Sequence, residues 1–331
     1  MRPPAQPGAH RPVCLARPRG GIRARGPASA ARPRRARRGT AARGARQRGA
    51  RAGLCLPCPP RARLIDFLSS GFVQRALLTG ALLGVSCAVL AFFVVLRRMA
   101  FIGVGISHAA LGGVALGVVL GISPVLTAGV FSVGVAWVIG WMGAQGRVSE
   151  DTAIGVFFPT AMALGVALIS LSDTYRQDLM GYLFGNILSV RTADVWILAV
   201  LAVLSLAILT LFFKEFLFLG VDEEAARAAG LPAEALRYVL LTLVAVVVVA
   251  SMKLVGSVLV SAFLVIPAAT GQAVAGSSRG MLAISVVSAL VSVAGGLWIS
   301  WLWDLPSGAS IVLLAAALFF LALGVGRVRR G

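Results

Sequence analysis

The sequence predicts an all-α polytopic membrane protein, and three observations carry that reading. Of 331 residues 58% are hydrophobic and 13% charged, whereas a soluble domain carries about a quarter charged residues. Apolar runs of about 20 residues, the length a helix needs to cross the hydrocarbon core, recur from residue 72 to the C-terminus. The charge is also unevenly placed: of 31 basic residues, 17 are arginines within residues 1–63, where no acid occurs, leaving 14 against 12 acidic residues in the remainder.

Residues 1–63 are therefore read as a separate region, a disordered Arg/Pro/Gly-rich tail without enough large apolar residues to order itself. The composition changes abruptly at Arg63/Leu64, which favours a true start near Leu64; a nucleic-acid or anionic-lipid arm and a targeting peptide are the competing origins. No apolar core of a signal peptide occurs there. The Cys55/Cys58 pair has half a zinc-site spacing, but no second pair accompanies it.

Residues 64–331 form the predicted transmembrane domain, of 8–10 helices. The candidate spans are 72–96, 101–120, 124–142, 152–171, 194–213, 236–252, 254–275, 281–303 and 308–325. A shorter apolar stretch, 179–190, reads as a re-entrant half-span, tolerated where it is buried in protein. With that segment re-entrant, Arg97, Arg98, Arg147, Lys214, Arg227, Arg279, Arg327, Arg329 and Arg330 all fall on one face. The positive-inside trend makes that face, and the C-terminus, cytoplasmic.

The chemistry-bearing residues are few. The two lysines, Lys214 and Lys253, sit in no glycine-rich phosphate loop, and no zinc-protease or serine-hydrolase motif occurs, so the chain is expected to be no enzyme. His108 is the one histidine beyond the tail. It lies inside an apolar helix, where an ionisable group usually faces a pathway or a partner; a neutral histidine bonded across a helix interface is the alternative. Gly105, Ala109, Gly113 and Gly117 form a small-residue stripe that admits a close helix neighbour. Residues 220–230 read as a short polar helix, with Asp222, Glu223 and Glu224 at its first turn and Gly230 as its stop; a plain solvated linker is the alternative. Pro267 breaks an apolar run, which suggests short helices against the inner face of the membrane up to Gly280.

Several motifs together resemble the zinc/manganese permease family of bacterial ATP-binding-cassette importers. They are RRMAFIG at 97–103, SHA at 107–109, GGVA at 112–115, SEDTAIG at 149–155, GYLFGNIL at 181–188, LGVD at 219–222, KLVG at 253–256 and LVIPAAT at 264–270. The match runs in order from about residue 68 to the C-terminus. It implies an importer permease fold of the cobalamin/siderophore type in a bacterial inner membrane. The implied function is passage of a divalent metal ion, zinc, manganese or iron, by a homodimer set in membrane lipid. The partners implied are a cytoplasmic ATPase dimer, which consumes the ATP, and an extracytoplasmic metal-binding protein; no permanent cofactor and no nucleic acid are implied.

On this reading His108, with Ser107, Asp173 and Asp178, belongs to the metal path. Asp222, Glu223, Glu224, Gly230, Pro267 and Arg279 belong to the coupling region that meets the ATPase. Family members commonly carry an acid four positions before the histidine; Val104 stands there in this chain. A permease for chelated metal is the alternative within the same mechanism. An ion-coupled secondary transporter is disfavoured by the absence of paired intramembrane acids and inverted repeats.

Overall fold

The protein is described as a computed structural model covering residues 71–146, 148–170 and 192–330. Among the described residues every regular element is helical. In chain order they are α1 (Gly71–Leu96), α2 (Ile102–Leu120), α3 (Pro124–Ala144), α4 (Glu150–Ser170), α5 (Thr192–Leu211), α6 (Phe213–Val221), α7 (Glu223–Ala228), α8 (Ala233–Val255), α9 (Ser257–Phe263), α10 (Ile266–Val274), α11 (Ser278–Trp303) and α12 (Ser307–Arg330). Eight stretches are long and apolar enough to cross a membrane, or nine if the bent α5–α6 pair counts as one. Only helices meet the bilayer's demand here, because each pairs its own backbone groups where no water can.

Helices α1, α2 and α8 are central, each about two-thirds or more buried, whereas α3, α4, α11 and α12 are mostly open on their outer faces. Helix α2 lies between α3 and α4, α1 packs on α11 and α5, α8 packs on α3, and α10 joins α11 and α12. The small-residue stripe explains how α2 is sandwiched. A Cβ on Gly105 would lie 2.8 Å from Ile154 of α4, and one on Gly113 would lie 2.7 Å from the Cα of Ala128 on α3. Gly117 meets Pro124 and Thr127 at the start of α3, and Ala109 is fully buried. Small residues thus let three backbones approach as membrane helices do.

Several hydroxyls inside the bundle are satisfied locally. Ser86, Ser205, Ser251, Ser285 and Ser292 each donate to the carbonyl four residues earlier, at 2.6–2.8 Å, which removes most of the cost of a polar group in an apolar core. An aromatic cluster fixes α6 against α1: Phe92, Phe93, Phe213 and Phe216 have ring centroids 5.0–6.2 Å apart.

The predicted elements hold with two corrections. The stretch after 213, not expected to be helical before residue 220, continues as α6 at 70° to α5, because residues 212–221 keep an apolar side to bury; α7 is the short polar helix expected within 220–230. The single span expected over 254–275 is two helices, α9 and α10. Pro267 opens α10, where a missing N–H costs nothing. Pro267 is buried, and Ser257–Val274 together have the length of a span. The half-span expected at 179–190 lies outside the described residues, as does the tail at 1–63.

Chain connectivity sorts the turns. The α1–α2, α3–α4 and α10–α11 turns, the α6–α7 segment and the end of α12 share one end of the bundle, which holds Arg97, Arg98, Lys214, Arg227, Arg237, Arg279 and Arg327. The α2–α3, α8–α9 and α11–α12 turns lie at the other, along with the end of α4 and the start of α5.

Candidate functional site

Two places concentrate chemistry. The first is His108, in the second turn of α2. Its Nδ1 lies 2.9 Å from the carbonyl oxygen of Val104. A carbonyl only accepts, so this contact places a proton on Nδ1 and leaves Nε2 of the neutral ring as the acceptor or metal-binding nitrogen. The ring packs edge-on against Phe158 of α4, centroids 4.6 Å apart at 89°, and it remains half-buried. The helix carbonyl and the aromatic face therefore fix both the tautomer and the tilt of the imidazole, as second-layer contacts do for metal-binding histidines.

Ser107, though adjacent, is fully buried and faces elsewhere; its Oγ takes no hydrogen-bond partner. Asp173 and Asp178 lie outside the described residues. Among the described residues no group of three or more His, Cys, Asp or Glu side chains could hold a metal ion.

The second place is at the arginine-rich end. Asp222 caps α7, its Oδ1 accepting from the Ala225 N–H at 2.9 Å, and Gly230 closes the segment with a left-handed φ of +80°. Glu223 turns inward. Its Oε2 accepts from Arg97 at 2.9 Å, and its Oε1 accepts from Arg227 at 2.8 Å and from Arg237. The Arg97 and Arg237 side chains are 7% and 6% exposed, against 45% for Arg227, so the first two are the ones whose charge requires a partner. Arg237 also donates from Nη1 to the Gly140 carbonyl at 3.3 Å.

Arg97 owes its position to the end of α1. Met99 N–H bonds Val94 O and Arg98 N–H bonds Val95 O, both at 3.0 Å, with Arg98 at a φ of +60°. This is the Schellman ending, with an arginine where glycine is usual. Burial pulls the Arg97 pKa below its ordinary value, and Glu150 and Glu223 oppose that shift. Glu150, the first residue of α4, lays its side chain over Gly143 of α3, where a Cβ would lie 3.0 Å from its Oε1.

The structure thus brings Glu223 into a cluster with Arg97, Arg227 and Arg237. Glu224 and Arg279 stay exposed, the latter in the first turn of α11 behind its cap Ser277, whose Oγ accepts from the Gly280 N–H at 3.2 Å. Arg97, Glu150 and Arg237 were not singled out from the sequence. Their signal was present: Arg97 opens one of the family motifs and Glu150 is the second residue of another, and Arg237 is a charge at the mouth of an apolar run.

Comparison with known proteins agrees with this architecture. The chain is 38% identical over 259 residues to the manganese transport system membrane protein MntC of Listeria innocua, covering 78% of this chain and 92% of that one. It is 35% identical over 248 residues to the high-affinity zinc uptake system membrane protein ZnuB of Haemophilus influenzae, covering 75% and 95%. The solved structure of PsaBC from Streptococcus pneumoniae in complex with Fab superposes with a TM-score of 0.68 at 36% identity, over 79% of this chain and 95% of that chain. An inward-facing metal-chelate type transporter, 19% identical with a TM-score of 0.59 over 82% and 91%, shares the fold. The family model for the ABC 3 transport family matches residues 69–326, and the chain belongs to that family.

Proposed function

We propose that this chain is the membrane permease of an ATP-driven importer of zinc, manganese or a similar divalent metal ion, and that His108 lies on the metal's path. The observation that carries the reading is the His108 ring itself. It is the only histidine in the transmembrane domain, its Nδ1 is committed to the Val104 carbonyl, and Nε2 is left for a ligand on a half-buried face. Neutral imidazole nitrogen suits zinc and iron well and manganese less so. A single ligand is too weak to hold a divalent ion, which fits passage rather than storage. A second copy of the chain related by a two-fold axis would supply a second imidazole. Asp173 and Asp178 would gather cations at the outer entrance.

The arginine-rich end is the cytoplasmic one under the positive-inside trend, which puts the end of α12 in the cytoplasm. The exposed residues there, Glu224, Gly230 and Arg279, with the 275–277 turn, are the surface offered to the ATPase dimer. Glu223 and Pro267 act from within. An extracytoplasmic binding protein would deliver the metal at the other end. The relatives named for manganese and zinc transport support this assignment by likeness.

The test is uptake of radiolabelled zinc and manganese into proteoliposomes containing this chain with its ATPase and binding protein. ATP-dependent uptake that drops in His108→Ala, with assembly intact, is the expected result. Uptake unaffected by the substitution would make His108 structural, and uptake of a metal chelate alone would move the assignment to the chelate permeases.

A further inference from the structure

The arginine cluster holds one more carboxylate than its bonds use. Arg97 and Arg237 both bond Glu223, yet Arg97 Nη1 and Arg237 Nε are buried and take no partner. Unmet buried donors of this kind cost free energy. Glu150 stands beside them. Its side chain covers Gly143, while Arg237 bonds the Gly140 carbonyl; these two glycines are three residues apart on α3, about one turn. Glu150 and Arg237 therefore occupy adjacent turns of one α3 face. Yet among the described residues Glu150 forms no ion pair or side-chain hydrogen bond. Two buried donors thus lie at the same end of the bundle as a carboxylate that, among the described residues, makes no ion pair.

We propose that Glu150 is the alternate acceptor for Arg97 and Arg237, and that the two guanidinium groups exchange Glu223 for Glu150 when the chain changes conformation, releasing α7. The elements involved suit an exchange. Helix α7 has six residues and a single buried side chain, Ala226, and it is bounded by the Asp222 cap and the left-handed Gly230, so Glu223 is its main anchor to the bundle and its local stability is low. Helix α4 is one of the least buried spans. A shift of its first turn would carry Glu150 to the arginines, and Arg97 already feels its charge. Both arrangements keep the buried arginines neutralised, which makes the device two-state rather than graded. Glu150 is thus a positioning residue for α7, which lies on the face proposed to meet the ATPase; in that respect the inference rests on the importer reading.

The experiment measures the separation of α4 and α7 by double electron–electron resonance, with spin labels at Gly155→Cys and Ala229→Cys. Both positions are exposed. The full chain is used with Cys14, Cys55, Cys58 and Cys87 replaced by alanine, alone and with its ATPase in the presence of ATP. Glu150→Gln should shift the distance distribution toward the α7-bound form and Glu223→Gln toward the released form, in opposite directions, with Glu150→Asp keeping both. In the assembled importer Glu150→Gln should lower ATP-driven uptake by on the order of tenfold, within the usual range of coupling between sites, while ATP hydrolysis persists. Identical distributions in wild type and both glutamine variants, or shifts in the same direction, would overturn the exchange and leave a static cluster. Opposite shifts in the isolated chain without any response to ATP would keep the exchange and defeat the importer reading instead. Should Glu150→Gln fail to yield monodisperse protein, the comparison of Glu150→Asp with Glu223→Gln decides alone: released-form distances only in the latter support the exchange, and equal distances refute it.

Discussion

Glu223 of α7 accepts the Arg97 guanidinium at 2.9 Å across 126 positions of sequence, and that one contact ties the end of α1 to the segment between α6 and α8. The same carboxylate serves Arg237, whose side chain is almost fully buried. Removing it leaves two buried arginines with Glu150 as the carboxylate still near them, and breaking a buried pair from one side costs far more than the pair contributes as a whole. Glu223→Ala should destabilise the protein by about 3 kcal/mol, the lower end of the range for buried pairs because Glu223 is itself a quarter exposed. Thermal unfolding in detergent would read this as a lowered midpoint. A midpoint unchanged from wild type would mean that water or Glu150 already neutralises the arginines.

Position within the α2 stripe should decide the effect of adding one methyl group. Gly113→Ala places its Cβ against the Ala128 backbone, which cannot rotate away. Overpacking of that kind costs about 1–3 kcal/mol. Gly129→Ala, in the helix α2 packs upon, meets nothing within 4 Å and should stabilise by up to about 1 kcal/mol through helix propensity. Opposite changes in unfolding midpoint confirm the packing; equal effects would show that α2 and α3 are further apart.

The bundle was largely legible in the sequence because the bilayer imposes a strong length and composition rule. The spans of α1 to α5, α8, α11 and α12 follow from it within a few residues. What the rule could not show was where helices bend without crossing. α6 turns 70° from α5 without a proline, since its apolar side is buried on Phe92 and Phe93, a tertiary effect. The α8–α9 turn needs the Gly256 conformation, φ +88°, which apolar periodicity does not encode. The site was half legible. His108 stood out as an intramembrane ionisable residue, and Asp222 and Gly230 as cap and stop. The ion cluster was not, because its members sit at 97, 223, 227 and 237, and only the folded chain brings them together.

Arg98 occupies a left-handed backbone position that a side chain adopts at a cost of roughly 1–2 kcal/mol. Arg98→Gly should relieve that strain and raise the unfolding midpoint, by an amount reduced by glycine's larger loss of entropy on folding, for a net of about 0.5–1 kcal/mol. The side chain is exposed, so little packing is lost. A lowered midpoint would show that the guanidinium makes a compensating contact, with lipid headgroups as the natural candidate at this end.

Val104 offers the sharpest test of the proposed metal path. It lies one helical turn before His108, half-buried on the same side of α2, and its carbonyl already sets the imidazole tautomer. A carboxylate at i with a histidine at i+4 shares one helix face, so Val104→Asp would put a hard oxygen ligand beside Nε2 without touching the backbone contact. Oxygen donors favour manganese relative to the nitrogen-only site, whereas zinc is already well served by imidazole. Uptake in reconstituted importer should therefore shift toward manganese, by about tenfold in the manganese-to-zinc ratio if the added ligand contributes about 1.4 kcal/mol. A ratio that stays at the wild-type value, with total uptake intact, would mean that metal does not pass within reach of this turn, and selectivity would then rest with the binding protein that delivers the ion.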